Sequence, residues 1–525
     1  MSNNGFSPHI LYFNPKHAID RAKTYIKFSV LAQPSECCSL TFRRLSMTII
    51  GRKMEMKTLQ SYYDSERPEL LIIYGRRRVG KTYLLREFFG DRLTFFFTGS
   101  VGVTKKVNLS NFDKAIIEQG GVTKTASKNW SEAFDKLKTL IHGSGDGRKV
   151  IFIDEMPWLD TPGSDFLSAF DYFWNSWASS VPDIMIVGCG SSTSWITKKL
   201  FKNRGGLHNR VTGRIYLAPF TIAECEEYFE DKNIIITRYQ LAECYMIFGG
   251  IPYYLSLFSK EYSFSQNVDI ICFADNAPLK NEFDELYYSL FNNPGQHINI
   301  VEILSGRSSG YSRNEICEIG NIQPNGHMTN TLNELEQCGF IEKYNDFTKK
   351  KNGVYYYLKD PFTLFYLRYM KNNNSKDEYF WTNYIDDGAH RAWSGYAYEL
   401  LCRIHIKQIK IKLGILGVST SVSVWRSKGA SHNDAPSYGA QIDLLICRKD
   451  GVINLCEIKY SKHPYAISKS YAEQLENKKA VFLMETGARR AIHITMITTF
   501  GLEKKGYSSI VQSEVAMNDL FALAP

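Results

Sequence analysis

The chain has 525 residues, 44% hydrophobic and 22% charged, with a formal net charge of +9. That length exceeds what one hydrophobic core serves and predicts about three domains, while the composition is that of an ordinary globular protein. No apolar run has the length of a bilayer span, no signal-peptide pattern opens the chain, and the 11 cysteines show no paired or metal-ligand spacing, which argues against a membrane protein, a zinc module and a disulfide scaffold and predicts a cytoplasmic location.

Residues 1–46 lack periodicity and read as an N-terminal extension, with Met47 as the physiological start. From Met47 the run Met-Thr-Ile-Ile-Gly-Arg-Lys-Met-Glu predicts a short strand, a Gly-Arg turn and an amphipathic helix. Residues 70–74 predict a buried strand feeding directly into Gly75, Arg76, Arg77, Arg78, Val79, Gly80, Lys81 and Thr82, an unbroken G-x-x-x-x-G-K-T. Strand, glycine-bracketed turn and helix in that order form a phosphate cradle: backbone N–H groups and the helix N-terminus face the anion. In such a loop Lys81 reaches the β- and γ-phosphates of ATP, and the Thr82 hydroxyl holds Mg²⁺.

Apolar runs at 93–97, 149–153 and 183–190, with helical stretches at 130–140 and 164–178 between them, predict a parallel sheet covered on both faces. Asp154 and Glu155 end the third strand, where the first would hold the Mg²⁺ shell and the second would orient and deprotonate water. Ser191, ahead of Ser192, ends the next strand and is placed to contact the γ-phosphate or the attacking water. Arg210 and Arg214 are candidates for an arginine finger, against the plainer alternative of surface ion pairs. Residues 221–290 turn helical and contain Gly249-Gly250-Ile251-Pro252, which on its own spacing is no more than a helix-to-helix turn.

Taken together, the segment from Ile49 to about residue 370 resembles the prokaryotic AAA-like ATPases allied to the STAND class. The segments that carry this are Ile-Ile-Gly-Arg-Lys-Met-Glu, the phosphate loop, Ile-Phe-Ile-Asp-Glu, Cys-Gly-Ser-Ser-Thr-Ser-Trp and Gly-Gly-Ile-Pro-Tyr-Tyr. The resemblance implies that Pro252 belongs to a nucleotide-sensing element of a helical lid, that residues 296–360 form a winged helix, and that ATP acts as a switch.

Downstream, residues 439–446 and 453–460 read as two strands. Glu457 and Lys459 share one face because side chains alternate, and Asp443 on the neighbouring strand can share a divalent metal with Glu457. Glu399 on the preceding helix is a third candidate carboxylate, and Gln474 on the following helix a steadying group. This region resembles the PD-(D/E)XK nuclease fold, with Ile442-Asp443 in place of Pro-Asp and Glu457-x-Lys459 intact. The resemblance implies a metal-dependent nuclease site built on Asp443, Glu457 and Lys459.

The expected architecture is therefore α/β: a P-loop core (47–220), a helical lid (221–290), a winged helix (291–370), a connector (371–392) and a C-terminal α/β domain (393–525). In the winged helix a candidate recognition helix starts near Gly326 and offers His327, Asn330 and Asn333 but also Glu334 and Glu336. Lys349, Lys350 and Lys351 form a basic wing. Three outcomes stay open: an ATPase controlling a nuclease acting on DNA or RNA, a non-cleaving switch or scaffold, and a winged-helix DNA-binding regulator. A homo-oligomer or control by a partner protein is compatible with each.

Overall fold

The computed structural model describes residues 49–523 apart from 203–206, 208, 348–352, 374–376, 385–387 and 428–439. The N-terminal extension and the basic run Lys349, Lys350 and Lys351 thus lie outside the described residues.

Five parallel strands form the first sheet: β1 (Glu69–Tyr74), β2 (Leu93–Thr98), β3 (Lys149–Asp154), β4 (Ile184–Gly190) and β5 (Gly213–Tyr216), in the order β2-β3-β4-β1-β5. β3 and β4 are buried at every position, which is why they read as continuous apolar runs. Alternate residues serve opposite faces. Leu71, Ile73, Phe152 and Val187 face one core, and Leu70, Ile72, Ile151 and Ile186 face the other. Helices Trp130–His142 and Phe166–Ser176 cover the second face with a cluster of aromatic rings that includes Trp130, Phe134 and Phe173. Helix Lys105–Glu118 and β5 are elements the sequence reading did not predict, and the strand expected at 49–50 is irregular chain.

The helical segment is as expected. Helices Ile222–Asp231, Arg238–Phe248 and Phe264–Cys272 each start with a reciprocal capping box, from Thr221 and Glu224, Thr237 and Gln240, and Ser263 and Gln266. Each box satisfies N–H groups the helix itself leaves free. The next module carries helices Gly295–Ser305, Arg313–Ile319 and Gly326–Gln337, with β6 (Tyr311–Ser312), β7 (Ile341–Asp346) and β8 (Val354–Leu358).

The C-terminal region contributes helix Gly388–Ile404, β9 (Thr420–Arg426), β10 (Gln441–Arg448), β11 (Val452–Lys459), helix Lys469–Thr486, β12 (Ala491–Thr498) and β13 (Ser513–Ala516). Two expectations about boundaries need correction. The sheets of 291–370 and 393–525 are not separate: β7 pairs in parallel with β9 through Asn345–Ser423 and Asp346–Val424, giving one eight-stranded sheet in the order β13-β12-β11-β10-β9-β7-β8-β6. The supposed connector is also anchored. Trp381 is buried, and Asp269 accepts hydrogen bonds from the N–H groups of Trp381 (2.7 Å) and Thr382 (3.2 Å).

Candidate active site

The phosphate loop leaves β1 at Gly75, whose φ of +152° and close neighbour exclude a side chain: a Cβ there would lie 2.3 Å from the Leu217 carbonyl oxygen. The Leu217 N–H donates to the Tyr74 carbonyl at 2.8 Å, so the exit of β5 pins the start of the loop. Lys81 is buried, and its ammonium donates to the carbonyls of Gly75 (3.0 Å) and Arg76 (2.9 Å), inside the turn the loop encloses. Thr82 Oγ1 donates to Asp154 Oδ2 at 2.8 Å, linking the helix after β1 to the end of β3 across the intervening β4. Hydroxyl and carboxylate are thus adjacent, the donor set a hard cation such as Mg²⁺ requires beside a phosphate.

Glu155 follows with φ +48°, a conformation uncommon outside glycine and one that clusters at functional sites. Its carboxylate is held by Ser191, whose hydroxyl donates at 3.0 Å and whose N–H donates at 3.2 Å. Lys81, Thr82, Asp154, Glu155 and Ser191 are therefore assembled at the C-terminal ends of β1, β3 and β4. Arg210 is exposed, with Asp171 of helix Phe166–Ser176 as an electrostatic neighbour, and Arg214 stacks over Phe201 at 4.2 Å. Among the described residues, neither meets the assembled group.

The loop's arginines point to neighbouring modules. Arg76 and Asp360 form a buried two-pronged ion pair, and Arg76 also lies over the Phe340 ring at 5.0 Å. Burial works against the Arg76 charge, but Asp360 opposite it wins, and the guanidinium's pKa is raised. Removing either partner of such a pair costs about 3–5 kcal/mol, because a charge is left buried alone. Arg78 pairs with Glu282 and, at 3.5 Å, with Glu285, and it lies over the Tyr253 ring at 4.4 Å. Arg77 is half-buried. Val79 is buried and its carbonyl accepts from Arg52 at 3.0 Å. Arg52 therefore belongs to the loop's framework, and its signal was the Gly51-Arg52 pair at a turn.

Gly250 places the Gly-Gly-Ile-Pro turn against the same seam. Its φ is +68°, a Cβ would lie 2.3 Å from the Phe220 carbonyl, and Phe220 N–H donates to Gly250 O at 2.8 Å. Pro252 begins a short helix whose next residue is Tyr253, the ring beneath Arg78.

The expected recognition helix is tied to the P-loop core through one of its acidic residues. Glu334 accepts from Lys198 of the P-loop core at 2.7 Å and pairs with His297 at 3.0 Å. His297 first and Lys198 after it pull the Glu334 carboxyl down to about 2. His327, Asn330 and Asn333 remain exposed.

In the C-terminal region the ladder pairs Leu444 with Cys456, so the next residues out, Asp443 and Glu457, stand opposite each other. Asp443 Oδ2 accepts from the Ile458 N–H at 2.9 Å. Burial, then the Asp443 charge, pushes the Glu399 and Glu457 carboxyls up to about 7, so the acids share one neighbourhood. Both Glu457 oxygens are taken by Lys478 Nζ at 2.8 Å. Lys459 instead lies over the Tyr471 ring at 5.3 Å, and Glu399 pairs with Arg403 at 3.5 Å. As arranged, these residues do not fit a divalent cation: among the described residues no three acidic, His or Cys side chains converge as ligands. Gln474 is exposed, while Lys478, one helical turn further on, makes the contact. Sequence reading missed Lys478; its i+4 spacing from Gln474 on the helix facing β11 was the available signal.

Residues 49–258 match the family model of an ATPase domain predominantly from Archaea. An uncharacterised protein of Methanocaldococcus jannaschii is 29% identical over 334 residues, 63% of this chain and 70% of the relative. An uncharacterised ATP-binding protein of the same organism is 40% identical over 43 residues, 8% of this chain and 73% of that protein. Among solved structures, a Walker-type ATPase of Pyrococcus abyssi aligns at 20% identity over 61% of this chain and 96% of its own, with a TM-score of 0.47. The ORC2 protein of Aeropyrum pernix aligns at 15% identity over 58% and 89%, with a TM-score of 0.31. The segment 49–258 is a P-loop ATPase domain of the archaeal type. No described helix is long and apolar enough to cross a membrane.

Proposed function

We propose that the protein binds and hydrolyses ATP with Mg²⁺ at the Gly75–Thr82 loop, and that nucleotide state governs the C-terminal region. The observation that carries this reading is the convergence of Thr82 on Asp154 at 2.8 Å with Glu155 held by Ser191 at 3.0 Å. In the ATP complex the loop N–H groups and the start of helix Lys81–Phe89 hold phosphate oxygens. Lys81 would exchange its two carbonyl partners for phosphate, and Thr82 and Asp154 are the residues that would hold the Mg²⁺ shell. Mg²⁺ supplies charge neutralisation at the phosphate oxygens. Glu155 takes the proton from the attacking water, and Ser191 keeps its carboxylate oriented. Replacing Glu155 by Gln keeps the shape and removes the base, so kcat for ATP falls at least about 100-fold while ATP binding persists. Equal turnover in Glu155→Gln and wild type would refute the assignment.

For the output, Asp443, Glu457 and Lys459, with Glu399, are the candidate nuclease-like site acting on DNA or RNA. The opposition of Asp443 and Glu457 on adjacent strands supports this reading. A second reading, a non-cleaving switch or scaffold, is favoured by one observation: Lys478 already neutralises Glu457 through both oxygens. Metal-dependent cleavage by wild type that is lost in Asp443→Ala separates the two.

A further inference from the structure

Strand β8 runs between the C-terminal carboxylate group and the phosphate loop. Tyr355 and Tyr357 of β8 line a cavity shared with Ser308, Glu399, Arg426 and Asp443. Its volume is about 10 Å³, room for one water and far too little for a phosphodiester. The 308–310 turn closes it: Arg426 donates to Ser309 Oγ at 2.7 Å and to the Ser309 carbonyl at 3.0 Å, and Ser308 Oγ donates to Glu399 at 3.5 Å. Two residues past the end of β8, Asp360 grips Arg76 of the phosphate loop, and Lys359 N–H donates to the carbonyl of Phe340, the residue under Arg76.

We propose that β8 links the two sites: the Arg76–Asp360 pair holds it down over the C-terminal carboxylates, and nucleotide in the loop releases it. This rests on the reading of Gly75–Thr82 as the nucleotide site. Three features make β8 the moving part. Among the described residues, the backbone ties between the β7–β8 pair and the C-terminal strands are the two-rung β7–β9 pairing and the Phe347 N–H to Val424 carbonyl bond at 3.1 Å. The other ties of this module to that region run through side chains, among them Arg426, Ser308, Arg403 at 3.6 Å from Glu342 of β7, Tyr396 donating to the Leu304 carbonyl at 2.9 Å, and Phe347 against the Phe482 ring at 5.1 Å. Arg76 sits next to Gly75 and its own carbonyl is a Lys81 partner, so when Lys81 turns to a phosphate the backbone carrying the Arg76 end of the latch loses a tie.

The test is hydrogen–deuterium exchange on the full chain, free and saturated with Mg²⁺ and AMP-PNP, with binding measured on the same samples by calorimetry. In wild type, peptides covering 307–312 and 353–358 are expected to exchange at least about tenfold faster with nucleotide. Asp360→Asn should show that faster exchange without nucleotide. Arg76→Lys, which keeps the buried charge but not the two-pronged geometry, should show it in part even if Asp360→Asn fails to fold. If AMP-PNP binds and the two segments keep their protection, the link is overturned while the nucleotide site stands. Free-state exchange in Arg76→Lys equal to wild type overturns it equally. If AMP-PNP does not bind at all, the nucleotide reading itself falls, and the link with it.

Discussion

The chain carries two acidic sites built in opposite ways. At the phosphate loop, Asp154 and Glu155 sit at the open ends of parallel strands, each held by a neutral hydroxyl, from Thr82 and Ser191 respectively. In the C-terminal region, Glu399 and Glu457 are buried among cations of the chain's own making, Arg403 and Lys478. Hydroxyls orient a carboxylate and leave its charge for a ligand. Cationic side chains consume it. The difference separates carboxylates left free to meet a ligand from carboxylates already paired within the chain.

The largest effect expected from disturbing this contrast is in the joint between the regions. His405, just past helix Gly388–Ile404, accepts from the Ile222 N–H of the lid at 3.0 Å and faces the Leu401 carbonyl through Nδ1 at 2.9 Å. Burial lowers its pKa to about 4. Because the folded state holds it neutral, stability is complete above the unfolded value of about 6.5 and is lost as pH falls toward 4. The loss is on the order of 3 kcal/mol, measured by urea unfolding at pH 7 and pH 4.5. A His405→Gln variant, which titrates nothing there, should lose less over the same interval. An equal loss in the variant would remove His405 from the account.

Lys478→Met comes next. With its cation gone, Glu457 is left buried, and unfolding at pH 8 should show a loss of about 2 kcal/mol. The loss should shrink at pH 6, where Glu457, with its carboxyl raised to about 7, takes up a proton. A pH-independent loss would mean that Lys478 acts through packing alone. At the other site, Ser191→Ala removes the hydroxyl donor to a carboxylate that remains solvated. It should lower kcat for ATP by about tenfold with little change in KM, since one charge-assisted hydrogen bond is at stake. A rise in kcat would instead make Ser191 a brake on Glu155.

How far each region could be read from sequence follows the same division. Gly75 to Thr82 is contiguous, and its strand, turn and helix are local, so the loop, Asp154 and Ser191 were legible as residues in order. β5 was not: four residues with Arg214 and Tyr216 facing solvent carry no apolar alternation strong enough to mark a strand. The join of β7 to β9 was invisible because it rests on two rungs between segments some 78 residues apart in sequence. The partners of Arg76 and Arg78 were equally hidden. Basic residues in a phosphate loop suggest phosphate, yet here their side chains are committed to Asp360 and Glu282. Alternation put Glu457 and Lys459 on one face and Asp443 was read as an acid on the neighbouring strand, while Lys478 was missed because its contact depends on how helix Lys469–Thr486 lies across β11.

The central claim is that Gly75–Thr82 is the nucleotide site, and Lys81 is its most direct test. Calorimetric titration of Mg·ATP into wild type and Lys81→Ala should give one nucleotide per chain in the first and at least about a 100-fold weaker affinity in the second. Titrations that superimpose would contradict the account.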